Sequence, residues 1–139
     1  MLYLKRKVDD FLTRWKADPD RKPLIVKGPR QVGKTESIKR FGAMNFQSVI
    51  TVNFVEEPKY KMITADGYSA EAIVKNISRI DPSKRFIEGE TLLFFDEIQE
   101  FPDIATALKF FKIDGRYDVI CSGSMLGINY RKIESNSVG

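Results

Sequence analysis

The chain has 139 residues, 42% hydrophobic and 30% charged, which is enough apolar material for one folded domain and too much for a disordered chain. A single cysteine and no histidine exclude an internal disulfide and the usual ligands of a structural zinc site, and no apolar stretch approaches the roughly 18 residues of a membrane span. The net charge of +4 suits an anionic ligand and permits contact with nucleic acid without demanding it.

In chain order, residues from about Leu4 to Lys16 place Leu4, Val8, Phe11, Leu12 and Trp15 on one helical face. The start is charged but has no long apolar segment, so it does not read as a secretory signal. The basic cluster Lys5-Arg6-Lys7 reads as a solvated helix face, with a nucleotide or partner contact as the alternative. Asp18 to Pro23 is a polar turn. Leu24 to Lys27 is a short apolar strand, followed by Gly28-Pro29-Arg30-Gln31-Val32-Gly33-Lys34-Thr35 and a helix to about Phe41, with Gly42 as its expected stop. Phe46 to Val55 reads as a second strand. Ser69 starts a helix with the stripe Ala70, Ile73, Ile77 and Ile80, closed by Asp81-Pro82. Ser83 to Glu90 is a charged loop. Thr91 to Asp96 is an unbroken apolar strand ending in acids, and Asp103 is expected to cap a helix holding Ala107, Leu108 and Phe111 and ended by Asp114-Gly115. Tyr117 to Ser122 is a last strand, leading into Gly123-Ser124; from Met125 the tail is polar and patternless. Cys121 lies mid-strand, where packing in a reducing cytoplasm is its expected role.

The string G-x-x-x-x-G-K-T from Gly28 to Thr35 carries the most chemistry. Placed between a strand and a helix, it is a phosphate-binding loop. Its glycines let backbone N–H groups curl around phosphate oxygens, and the helix N-terminus adds partial positive charge. Lys34 is expected to reach the β- and γ-phosphates of ATP, and the Thr35 hydroxyl to ligate Mg²⁺. Arg30, inside the loop, could touch a phosphate, a neighbouring subunit or an acid, or be solvated. The apolar run before Asp96-Glu97 reads as a buried parallel strand delivering two carboxylates at its C-terminal edge, where open α/β sheets bind ligands. Asp96 is expected to hold Mg²⁺, and Glu97 to orient and deprotonate the attacking water. No Asn-Lys-x-Asp guanine-reading motif occurs. The strand ending at Ser122 is expected to carry a γ-phosphate sensor, Ser122 first and Ser124 second, with a plain Ser-Gly-Ser turn as the alternative.

Alternating strands and helices imply a parallel sheet covered on both faces. The strings Tyr3-Leu4-x-Arg6, Lys27 to Thr35, Asn53-Phe54, Thr91 to Gln99 and Ser122-Gly-Ser124 resemble the prokaryotic and archaeal AAA-type ATPases of the AAA+ superfamily, which pair the ATPase with a C-terminal nuclease-like domain. The resemblance covers the whole chain. It implies an α/β fold of the P-loop NTPase type with strand order five-one-four-three-two and helices on both faces. It also implies that residues 1–139 are a single, truncated ATP-binding domain lacking the last strand. The arginine finger, helical lid and C-terminal domain of that family are not recognisable in this chain. ATP and Mg²⁺ are the implied cofactors. A homo-oligomer and nucleic acid, the latter through the C-terminal domain, are the possible partners, with no membrane partner. Mg²⁺-dependent ATP hydrolysis is the implied activity, weak in this fragment. A nucleotide-regulated binding module and a helicase-like lobe are the alternatives. In the family resembled, Gln99 recurs with the acidic pair without a firm role, and an exposed amide after the strand is the alternative.

Overall fold

The computed structural model describes residues 7–28 and 32–124. Within them helices and strands alternate: α1 (Lys7–Ala17), β1 (Leu24–Gly28), α2 (Val32–Asn45), β2 (Ser48–Asn53), α3 (Ala70–Ile80), β3 (Thr91–Asp96), α4 (Ile104–Asp114) and β4 (Asp118–Ser124). Short 3₁₀ turns occupy Pro58–Met62 and Ile98–Glu100. The strands form one parallel sheet in the order β1-β4-β3-β2. This is the expected α/β architecture, with β4 inserted between the strand before the glycine-rich loop and the acidic strand. Among the described residues β1 pairs only with β4. The tail from Met125 lies outside the described residues, as do Tyr3 and Leu4.

The unbroken apolar run of β3 has a simple cause. Every residue from Thr91 to Asp96 is buried, because helices cover both faces of the sheet. Leu92 and Phe94 point to one face, where they meet Leu12 and Trp15 of α1, Ile38 and Phe41 of α2, Leu24 and Ile120. Leu93 and Phe95 point to the other, where they meet Ile73 and Ile77 of α3, Ala107, Leu108 and Phe111 of α4, Val119 and Cys121. Strand alternation thus feeds two cores from one segment. Full burial of each Phe or Leu contributes about 1.5–3 kcal/mol. Cys121 is fully buried in the second core, where lack of solvent pushes its thiol above the usual range.

The caps are mixed. Ser69 caps α3 as expected, its hydroxyl accepting from Ala72 N at 3.1 Å, and Gly115 ends α4 with φ 73° in the left-handed region. Asp103 stands at the N-cap of α4, but its side chain accepts no capping hydrogen bond. The αR backbone at Asp103 differs from the extended cap geometry that aims a side chain at the first turn. The last strand runs two residues past its expected end, since the ladder with β1 continues to the pair Gly28–Ser124.

Gly42 is not the stop of α2. The helix continues to Asn45, and Gly42 is where it lies closest to the sheet. A Cβ at that position would stand 2.9 Å from Val49 Cγ2 and 3.0 Å from Leu92 Cδ2, below ordinary van der Waals contact. The residue is small because of packing. Gly42→Val is therefore expected to lower stability by about 1–3 kcal/mol through overpacking, as read from the midpoint of a urea denaturation curve.

Candidate functional site

The parallel strands place their C-terminal ends together. Gly28 ends β1, Asp96 ends β3 and Ser124 ends β4. Above this edge stands the first turn of α2, which begins at Val32 and carries Gly33, Lys34 and Thr35. That turn holds no acidic residue of its own, and the helix end adds partial positive charge. Pro29, Arg30 and Gln31 lie outside the described residues.

Two of the expected residues meet directly. Thr35 Oγ1 donates to Asp96 Oδ2 at 3.0 Å. The other carboxylate oxygen, Oδ1, accepts the backbone N–H of Glu97 at 2.9 Å. Asp96 is buried, with 3% of its surface exposed, and desolvation lifts its carboxyl above the ordinary range against the pull of those hydrogen bonds and of Lys34. The Lys34 ammonium is held below the usual lysine range by burial, which outweighs the attraction of Asp96 and Glu97. Lys34 Nζ donates to the Gly123 carbonyl at 3.1 Å. Acid and base are thus both held at a cost, and each partly compensates the other.

Glu97 sits at φ 59° and ψ 45°, alone among the described non-glycine residues in having a positive φ. A left-handed non-glycine residue costs on the order of 1–3 kcal/mol. The turn it makes clasps Asp96 through its N–H and sends the chain into the 98–100 turn, whose Ile98 is buried. Glu97 is itself buried, and its Oε2 accepts from Gln99 Nε2 at 3.2 Å.

Gln99 is the residue whose role the sequence left open. It is not an exposed amide. It is half-buried, and its Oε1 accepts the backbone N–H of Ser124 at 3.1 Å while its nitrogen donates to Glu97. Spacing alone gave no sign of this, because the contact joins residues 25 positions apart. The two serines are separated by burial. Ser122 is fully enclosed, and among the described residues its Oγ is the buried side-chain polar atom without a hydrogen-bond partner. Ser124 is half-buried at the strand end. Asn53, which pairs with Asp96 across the ladder, turns its own Oδ1 to the N–H groups of Val55 and Glu56, each at 2.9 Å.

This end of the sheet can therefore hold an anion at a helix N-terminus beside a lysine, and a hard cation between a hydroxyl and a carboxylate. A further carboxylate is fixed next to both. Residues 20–139 match the family model described as AAA domain. Two solved structures share the fold. The structure of C. elegans PCH-2 gives a TM-score of 0.56 at 10% identity, over 94% of this chain and 40% of that one. The structure of Drosophila ORC bound to DNA gives 0.54 at 14% identity, over 93% of this chain and 85% of that one. This chain thus spans about two-fifths of the PCH-2 chain, and at these identities the likeness is one of fold. A comparison with curated proteins returns no match. Among the described residues no helix is long and apolar enough to cross a membrane.

The raised carboxyl of Asp96 has a sign that can be tested. Its folded pKa lies above the ordinary value of 3.8, so between the two the folded state binds more protons than the unfolded one. Stability from this group is present below 3.8, falls as pH rises through the folded value and stays lost above it. Asp96→Asn removes that loss. The variant is expected to melt a few degrees above the parent at pH 7 without nucleotide, and the difference should shrink on titration towards pH 4. Thermal denaturation across that range measures it; a variant less stable at pH 7 than the parent would contradict the account.

Proposed function

The chain belongs to the AAA domain family, and from that premise we propose that it binds ATP with Mg²⁺ and hydrolyses it at the cluster of Lys34, Thr35, Asp96 and Glu97. The observation that carries this reading is the 3.0 Å bond between Thr35 Oγ1 and Asp96 Oδ2. It joins the start of α2 to the end of β3, so the two residues expected at the cation are neighbours, directly after the lysine expected at the phosphates. Both donors are oxygens, the type that Mg²⁺ takes. Among the described residues no cluster of three metal-ligating His, Cys, Asp or Glu side chains occurs, so a cation here would complete its shell with phosphate and water, as Mg²⁺ commonly does. When bound, Mg²⁺ would neutralise charge on the phosphate oxygens.

The chain's own residues divide the remaining work. Gly28, Arg30, Gln31, Val32 and Gly33 would present backbone N–H groups to the phosphates, with Pro29, which has no N–H, among them. Lys34 would leave the Gly123 carbonyl for the β- and γ-phosphates as a point charge. Thr35 and Asp96 would hold the cation. Glu97, with its carboxylate fixed beside that site, would orient the attacking water and accept its proton. Ser124 is better placed than the enclosed Ser122 to sense the γ-phosphate. In this reading the chain is a single ATP-binding domain of the prokaryotic and archaeal AAA type, working in the cytoplasm. An arginine from a neighbouring subunit would complete transition-state stabilisation, which is worth roughly 10³–10⁵-fold in nucleotide triphosphatases where it is measured. Nucleic acid is a candidate partner of the assembled protein.

Two variants separate binding from chemistry. Lys34→Ala is expected to abolish detectable ATP binding by calorimetry, and unchanged affinity would remove the phosphate-loop assignment. Glu97→Gln is expected to keep ATP but lose hydrolysis by on the order of 10²-fold or more, since the amide retains the shape without the base. A wild-type phosphate-release rate in that variant would show that another group activates the water.

A further inference from the structure

We propose that Gln99 is a positioning residue that carries the state of Lys34, through the single Gly123–Ser124 peptide group, to the carboxylate of Glu97. Three hydrogen bonds form the path. The Gly123 carbonyl accepts from Lys34 Nζ at 3.1 Å. The N–H of that same peptide group is Ser124's, and it donates to Gln99 Oε1 at 3.1 Å. Gln99 Nε2 then donates to Glu97 Oε2 at 3.2 Å. All three run from donor to acceptor in one direction, from the ammonium to the carboxylate, so each polarises the next. The direction also settles the amide orientation: a backbone N–H can only donate, which turns the Gln99 oxygen to Ser124 and the nitrogen to Glu97.

The path begins and ends at groups with other work to do. A phosphate at the start of α2 competes with the Gly123 carbonyl for the Lys34 ammonium. Once the cation leaves that carbonyl, the peptide is less polarised and the Ser124 N–H is a weaker donor. Gln99 then holds Glu97 less firmly. Without nucleotide the carboxylate is tied down; with Lys34 engaged by phosphate it is released towards water. The consequence for catalysis rests on the reading above, in which Glu97 activates that water, whereas the coupling itself rests on the hydrogen bonds alone. A shorter side chain at position 99 would not span Ser124 and Glu97 together, and a carboxylate there would repel Glu97.

Amide NMR on the 139-residue chain tests the coupling without any need for turnover. In nucleotide-free protein, Lys34→Met is expected to move the Ser124 amide proton upfield, and to shift the Gln99 side-chain amide, because the polarising cation is gone; Lys34→Ala is a second variant for the same comparison. A non-hydrolysable ATP analogue should move the Ser124 amide of the wild-type chain in the same direction. In Gln99→Met, which keeps the shape and loses both bonds, the Ser124 amide should respond far less to the analogue. A Ser124 amide unmoved by loss of the Lys34 charge overturns the coupling. If the analogue leaves the Gly28 and Gly33 amides unmoved, the ATP-binding reading falls, and the Lys34→Met comparison still decides the coupling.

Discussion

Asp96 is a carboxylate delivered to the end of a strand on which every residue is buried. The site depends on how that charge is kept. An ionised carboxylate cannot be left alone at such a position, and here it is met by a hydroxyl from α2, by the N–H of Glu97 and by the field of Lys34. Each of those partners is thereby drawn to the same sheet edge. α2 must begin close to the end of β3 for Thr35 to reach. Glu97 must adopt a left-handed turn for its N–H to reach back. The packing of Gly42 against Val49 and Leu92 lets the helix lie low enough on the sheet for the first of these.

Much of this was legible in the residues, for identifiable reasons. The run Leu92 to Phe95 has no polar interruption, and that pattern has few explanations other than a strand covered on both faces. The stripe of α3 and the Ser69 cap follow local rules that tertiary packing had no cause to override. The pairing of Thr35 with Asp96 was not itself predicted, but both residues were assigned to one cation. What was not legible depends on contact between distant segments. Gly42 looked like a helix stop because glycine so often is one, and only the sheet beneath it shows that its small size serves packing. Gln99 looked like an exposed amide because its partner Ser124 lies on another strand. Asp103 stands at the cap position without making the capping bond, since a backbone angle decides that and composition does not.

The two serines show how burial refines a motif. Ser-Gly-Ser at a strand end reads equally as a turn or as a sensor. The ladder extends β4 through all three residues, so they are strand and not turn. Ser122 follows Cys121, which pairs with Phe95, and so lies one step further along beside Asp96. Its hydroxyl is enclosed without a partner. A buried unpartnered hydroxyl costs free energy, and near a functional site it marks where the surroundings rearrange or a ligand is accommodated.

The strain at Glu97 and the bond from Gln99 are two parts of one arrangement. A left-handed glutamate persists only where its surroundings over-determine it. Here its N–H is anchored to Asp96, its carboxylate to Gln99, and the following Ile98 to the core. Loosen the bond from Gln99 and keep the other two anchors, and the backbone stays strained while a hold on the carboxylate is lost. A side chain anchored at one end by a rigid turn and met at the other by a side-chain amide can change position without moving its backbone. That is the property a group needs if it is to be idle without nucleotide and active with it. The Gly123–Ser124 peptide lies between Lys34 and that amide, so the group proposed to meet phosphate and the group proposed to act on water share one piece of backbone.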